Sequence, residues 1–134
     1  MNYIDCVALI LVENRKLLLG FSKNKNAWYL PGGKMDPGET NLGALQRELK
    51  EELNIDLTED SVQWYYYIEA PAFGENNLLM KQECFLSLHP QHPQPSAEIE
   101  AIRYFDLATY QQEEHLVPGV LMAFEKLQQD GLVD

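Results

Sequence analysis

The sequence predicts an α/β (α+β) chain with a mixed central sheet and helices on both of its faces. Three observations predict it. Residues 7–12 are apolar without interruption, the pattern of a strand buried on both sides. Residues 62–68, 78–88 and 99–105 are rich in aromatic and branched side chains and read as further strands. Residues 40–53 and 118–130 repeat apolar side chains at helical spacing. Strands mixed with two amphipathic helices bury their apolar faces best as a sheet covered on both sides.

Taken in order, residues 13–16 (Glu-Asn-Arg-Lys) form a polar turn into a second strand over 17–21, so 7–12 and 17–21 are expected to pair as a hairpin. Residues 22–26 are a lysine-bearing loop, and 27–30 are short and extended because Leu30 precedes a proline. Pro31, Gly32 and Gly33 make a tight turn whose backbone can approach a ligand closely. In the helix over 40–53, Leu42, Leu45, Leu49 and Leu53 share one stripe, and Asn54 suits the left-handed residue that ends it. Loop 71–77 separates two of the later strands, and the Pro-rich stretch 89–96 is an irregular connection. The last helix begins at Pro118, carries Val120, Phe124 and Leu127 on one side, and stops at Gly131. With no internal repeat and no composition break, residues 1–134 are read as one domain.

The chain has 134 residues, enough for a real core, and 21 acidic against 10 basic side chains give a net charge of −11. That balance argues against a nucleic-acid backbone or an anionic membrane as partner. A small phosphorylated ligand stays open, because a divalent cation reverses the local sign. Cys6 and Cys84 lie in apolar strand-like runs and read as free thiols of a reducing, cytoplasmic protein. The N-terminus lacks a basic segment before its apolar run, and no apolar run is long enough to span a bilayer.

The chemistry concentrates in residues 33–55. Glu48, Glu51 and Glu52 stand at i, i+3 and i+4, on nearly one side of the helix. Like charges that close repel unless a cation sits among them. At ~100° per residue the group lies about 100° from the leucine stripe, on the margin of the packed face. Alone, such a run reads as a solvated face, with Arg47 and Glu51 as a surface pair. In the company of Gly33, Glu39 and the Pro-Gly-Gly turn, it reads as a metal site.

Written as spacing, the segment is Gly33, five residues, Glu39, seven residues, Arg47-Glu48-Leu49-Lys50-Glu51-Glu52, one residue, Asn54 and Ile55. It resembles the Nudix box, G-x5-E-x7-R-E-U-x-E-E-x-G-U, with U a bulky aliphatic residue. The preceding Trp28-Tyr29-Leu30-Pro31-Gly32 is similar to the family's W-x-L-P-G lead-in. One position departs: Asn54 stands where the box has glycine. Asparagine is next best for positive φ, so the helix end is expected to survive.

The resemblance implies a Nudix-like α/β/α sandwich and a pyrophosphohydrolase that splits NDP-X into NMP and phospho-X with Mg²⁺ or Mn²⁺. Carboxylate oxygens suit these hard cations. By position, Glu48, Glu51 and Glu52 would be the metal ligands, and Glu52 or Glu48 would bring up the attacking water. Arg47, with Glu39 as its other partner, would orient them. The backbone at Gly32 and Gly33 would supply a carbonyl ligand or approach the phosphates. Outside the box, Glu98 is either a further metal ligand or base, or a solvated loop residue; Glu100 is a lesser candidate. Lys23 and Lys25 either meet phosphates or are surface lysines. Phe73 either stacks on a base or tucks onto the core. The short length resembles MutT-like members acting on (d)NTPs. The alternatives are an ADP-ribose or nucleotide-sugar pyrophosphatase, with Pro71 as its weak pointer, and a non-catalytic ligand-binding module. A homodimer remains open.

Overall fold

The computed structural model describes residues 2–134. Eight strands and three helices follow one another as β1 (Asn2–Ile10), β2 (Val12–Glu13), β3 (Lys16–Ser22), β4 (Ala27–Tyr29), β5 (Gly32–Lys34), α1 (Asn41–Leu53), β6 (Val62–Pro71), β7 (Leu78–Ser87), β8 (Ile99–Phe105), α2 (Leu107–Tyr110) and α3 (Pro118–Gln129). A single 3₁₀ turn, Glu59–Ser61, leads into β6.

The strands form two four-stranded sheets. The first, in the order β5-β1-β7-β6, is mixed, because β1 and β7 run parallel while the outer pairs are antiparallel. The second is antiparallel and centred on β3, with β8 along one edge and β2 and β4 sharing the other. The expected mixed sheet is thus present, but divided.

Alternation along β1 explains why both faces need a helix. Val7, Leu9 and Leu11 point into one core with Leu45, Leu49 and Leu53 of α1. Ala8 and Ile10 point into the other with Val120, Phe124 and Leu127 of α3. β3 does the same, Leu18 facing the first core and Leu17 and Leu19 the second. These strand residues are all essentially inaccessible, as a strand roofed on both sides requires.

Two expectations need correction. The hairpin between 7–12 and 17–21 shrinks to two pairs, Val12↔Leu17 and Glu13↔Lys16, around Asn14 and Arg15, both with positive φ. Such a turn supports a tight hairpin, but the chain leaves the first sheet at Leu11. A strand as apolar as β1 instead takes the interior position between β5 and β7, where both its edges are paired. The Pro-Gly-Gly segment is also more than a turn, since Gly32–Lys34 pairs with β1 at Ala8, Val7 and Cys6.

Both ends of α1 are closed, the C-terminal one by Asn54 as the sequence reading expects. Thr40 Oγ1 accepts from Gly43 N–H at 3.0 Å. Asn54 is left-handed at φ 55°, and Ile55 N–H reaches back to the Leu49 carbonyl at 3.2 Å. The Pro-rich connection then serves this helix. Gln94 N–H, Ser96 N–H and Ser96 Oγ donate to the Leu53, Glu52 and Glu51 carbonyls at 2.9, 2.9 and 2.6 Å. These are last-turn carbonyls with no partner inside the helix.

Two outcomes follow from these ends and faces. Asn54→Ala places a Cβ at a left-handed residue and lowers stability by about 1 kcal/mol, while Asn54→Gly leaves it within a few tenths; denaturant unfolding measures both. On the α3 side, Tyr65 Oη donates to Asp130 Oδ2 at 2.5 Å, and this bond, with Lys126, holds the Asp130 carboxyl below its ordinary value. A depressed folded-state value adds stability above the unfolded pKa and loses it as pH falls through the folded one. Asp130→Asn therefore melts below the parent at neutral pH, and the gap closes in acid.

Candidate active site

Because α1 packs its leucines inward, Arg47, Glu48, Glu51 and Glu52 sit where the helix meets β5. Gly33 of β5 lies so close to Glu48 that a Cβ there would stand 2.6 Å from its carboxyl carbon. Gly32, at φ 144°, is closer still to the sheet, since its Cβ would lie 2.0 Å from the Val7 carbonyl oxygen. Only glycine fits at Gly32, and the missing side chains at both positions let α1's carboxylates approach the strand.

Glu52 is the buried member, 6% exposed, and its Oε1 accepts from Gly32 N–H at 3.0 Å. Burial pushes its carboxyl up to about 8; Gly32 opposes the rise, while Glu48 and Glu98 add to it. Burial also raises Glu48, against the pull of Arg47. Glu51 remains more than half exposed.

Arg47 ties the constellation together. Its Nε and Nη2 donate to the two oxygens of Glu39 at 2.8 and 2.9 Å, a bidentate pair. Nη1 donates to Glu48 at 2.9 Å, Nη2 to the Lys34 carbonyl at 3.1 Å, and Glu51 lies 3.6 Å away. The bond from Arg47, reinforced by Asp36 N–H, drives the Glu39 carboxyl down to about 2. Arg47 and Glu39 therefore meet as the resemblance implies.

Of these glutamates Glu52 lines a cleft of about 260 Å³. Its walls include Ile4 and Cys6 of β1, Met80 and Gln82 of β7, Tyr29 of β4, and Phe73 and Pro71 near the β6–β7 loop. Glu52, Gly32, Gly33 and Glu98 close one end. Phe73 packs edge-on against Tyr29 at 6.3 Å and also lines the cleft. Lys23 is exposed and lies off the cleft walls; its neighbour Lys25 lines them, paired with Glu75 at 2.5 Å. Glu98 is exposed but borders the cleft, carried there by the loop that caps α1, while Glu100 is exposed on β8. Tyr29, Cys6, Met80 and Gln82 escaped the sequence reading as site residues. The alternation Met80-Gln82-Cys84 was legible, but the face it lines depends on β1 as neighbour.

As donors, Glu48, Glu51 and Glu52 with the glycine backbone suit a hard divalent cation. A repelling, partly buried carboxylate pair at Glu48 and Glu52 is what such an ion would relieve. In this conformation Arg47 holds Glu48 and Gly32 holds Glu52, and no three carboxylate, thiol or imidazole groups among the described residues converge tightly enough to enclose an ion. Enclosing one requires Glu48 and Glu51 to turn from Arg47.

Two layers of helix around a β core, with an arginine-clamped carboxylate row at a glycine strand, define a sandwich built to present acidic groups to a ligand. Residues 3–122 match the NUDIX domain, and the chain belongs to that family. Among curated relatives, the human 8-oxo-dGDP phosphatase NUDT18 is 40% identical over 55 residues, 40% of this chain and 17% of that protein. The CTP pyrophosphohydrolase of Escherichia coli (strain K12) is 40% identical over 62 residues, 43% of this chain and 46% of that one. The chain thus spans under half the length of either. Among solved structures, the MutT NUDIX hydrolase from Burkholderia pseudomallei superposes with a TM-score of 0.77 at 22% identity, covering 95% of this chain and 99% of that one. The bifunctional NMN adenylyltransferase/ADP ribose pyrophosphatase from Francisella tularensis, complexed with AMP and a Mn ion, gives 0.71 at 21% identity, covering 96% and 42%. These likenesses show the fold. No helix among the described residues is long and apolar enough to cross a membrane.

The two glycines separate structure from ligation. Gly32→Ala meets a backbone oxygen that cannot yield and loses on the order of 3 kcal/mol. Gly33→Ala meets the far end of Glu48, which can rotate, so it costs roughly 1 kcal/mol but weakens Mn²⁺ binding. Chemical denaturation and Mn²⁺ titration calorimetry check the pair.

Proposed function

We propose that this protein is a metal-dependent pyrophosphohydrolase that cleaves the diphosphate linkage of a small nucleotide, NDP-X plus water giving NMP and phospho-X. The favoured substrate is a (d)NTP. That choice rests on the resemblance of the short chain to MutT-like members. The carrying observation is the row Glu48, Glu51 and Glu52 on α1: Arg47 holds Glu48 at 2.9 Å and lies 3.6 Å from Glu51, and Glu52 lines a cleft of about 260 Å³. Pro71 on the cleft wall favours the ADP-ribose or nucleotide-sugar alternative, and a substrate screen separates them.

When bound, Mg²⁺ or Mn²⁺ supplies charge neutralisation at the phosphate oxygens. Arg47 does not touch substrate in this reading; it orients Glu48 and Glu51. Glu39 anchors Arg47 from the other side with two bonds. Water forms one P–O bond as the bridging P–O bond breaks, and Glu52 or Glu48 accepts the water's proton. Glu52 keeps its position through Gly32 N–H. The reading takes residues 1–134 as one catalytic domain and places it in the cytoplasm, in keeping with buried Cys6 and Cys84 thiols.

Hydrolysis of a nucleotide panel, with products assigned by ³¹P NMR, tests the proposal. Turnover is expected with Mg²⁺, to vanish in EDTA, and to fall by roughly 10³-fold or more in Glu52→Gln. Turnover indifferent to both changes, or none on any nucleotide, sinks it.

A further inference from the structure

The cleft lined by Glu52 has a buried polar wall residue, Gln82, that nothing described so far employs. Gln82 lies beside Cys6 in the parallel β1–β7 register, between Ile4↔Met80 and Ala8↔Cys84. Residues of that face run from the core, at Ala8 and Cys84, out into the cleft, at Met80 and Ile4. Gln82 stands at the border and is only 8% exposed.

A buried carboxamide offers two donors and an acceptor oxygen, and leaving them without partners is costly. Among the described residues the Gln82 side chain has one hydrogen bond, from Cys84 Sγ to Oε1 at 3.9 Å, and a thiol is a weak donor. Among the described residues no side-chain nitrogen or oxygen is sealed in the interior without a partner, so the remaining capacity of Gln82 opens on the cleft it lines. Three of the other polar wall groups are engaged, while Glu98 at the glutamate end and Tyr29 also line the cleft. Ser22 Oγ accepts from Lys25 N–H at 3.4 Å, Lys25 pairs with Glu75, and Glu52 is held by Gly32. Around Gln82 the cleft is otherwise lined by Met80, Cys6, Ile4, Tyr29, Phe73 and Val117.

We infer that Gln82 is the specificity-determining residue of this cleft, hydrogen-bonding the donor–acceptor edge of a nucleobase seated against the apolar and aromatic walls. The inference deepens the proposed function and rests on it. A polyphosphate offers only acceptors and belongs with the cation at the glutamate end. A ribose carries no planar edge. A nucleobase pairs an adjacent donor and acceptor on a flat apolar ring, matching a carboxamide among Tyr29, Phe73 and Met80, whichever way the amide is turned. A site built to bond such an edge discriminates strongly against ligands lacking it.

The test compares wild type, Gln82→Leu and Gln82→Glu on the four common nucleoside triphosphates and on ribose 5-triphosphate, which lacks a base. In Gln82→Leu, KM for the best nucleotide is expected to rise roughly 10- to 100-fold with kcat little changed, the ranking among bases to flatten, and ribose 5-triphosphate turnover to stay at the wild-type level. Gln82→Glu, which keeps the shape but loses the donors, is expected to reorder the bases. An unchanged ranking, or equal loss on the base-free compound, overturns the inference while leaving the hydrolase reading intact. If wild type hydrolyses nothing, the hydrolase reading fails by itself. Binding of nucleoside monophosphates in EDTA, followed by NMR, then decides for Gln82: weaker binding in Gln82→Leu supports it, and equal or absent binding ends it. Thermal melting confirms that both variants fold.

Discussion

Two missing side chains hold this site together. Gly32 and Gly33 let β5 lie against β1 on one side and α1 on the other, at separations where a methyl group would collide with Val7 or Glu48. That closeness puts Gly32 N–H within 3.0 Å of Glu52. The bond matters because Glu52 is nearly fully buried, and a buried carboxyl without donors is a costly group. The glycine strand therefore both brings the carboxyl into the cleft and partly satisfies it. Widening β5 by one carbon would release the helix, the carboxyl and the closed end of the cleft together.

The electrostatics follow from that packing. Arg47 is the cation of the constellation, and it is shared between Glu39, Glu48 and, at longer range, Asp36 and Glu51. Glu39 takes the best geometry and is driven well below its ordinary value, whereas Glu48 and Glu52 are pushed up by burial. One guanidinium cannot offset four carboxylates, so repulsion persists on the inner side of the row. Release of Glu48 and Glu51 from Arg47 toward an added cation would exchange one set of charge-assisted bonds for another with little motion of the backbone.

What was legible in the sequence was what depends on near neighbours. The apolar stripe and caps placed α1 within a residue of its bounds, and the strand read over 99–105 coincides with Ile99–Phe105. Arg47 finds Glu39 because both lie on one short segment. The hairpin misled because a polar turn between apolar runs fixes only local reversal, whereas the sheet that β1 joins depends on β7, about 75 residues later. β5 was hidden because glycine is a poor strand residue by propensity and is required here by clearance alone. α2, capped by Asp106 on Thr109 N–H, is too short to show periodicity. Gln82 was invisible as a site residue for a related reason, since its alternation with Met80 and Cys84 marks a face without saying what opens in front of it.

The two ends of the cleft differ in rigidity, and that difference bears on how a ligand enters. The glutamate end is anchored by α1, whose Leu45, Leu49 and Leu53 are inaccessible and whose last carbonyls are capped by the Pro-rich connection. The opposite mouth is closed between the turn bearing Lys25 and the loop bearing Glu75, joined by one ion pair whose side chains are 37% and 48% exposed. An exposed pair of this kind contributes only about 0–1 kcal/mol. Gly74, at φ 78°, and Gly38, at φ 84°, occur in turns, and only the first lies in this closing loop. Opening the mouth therefore breaks little, while disturbing the glutamate row means unpacking a helix. Such an arrangement leaves the Lys25–Glu75 side the easier to open and the Glu52 side fixed by the core.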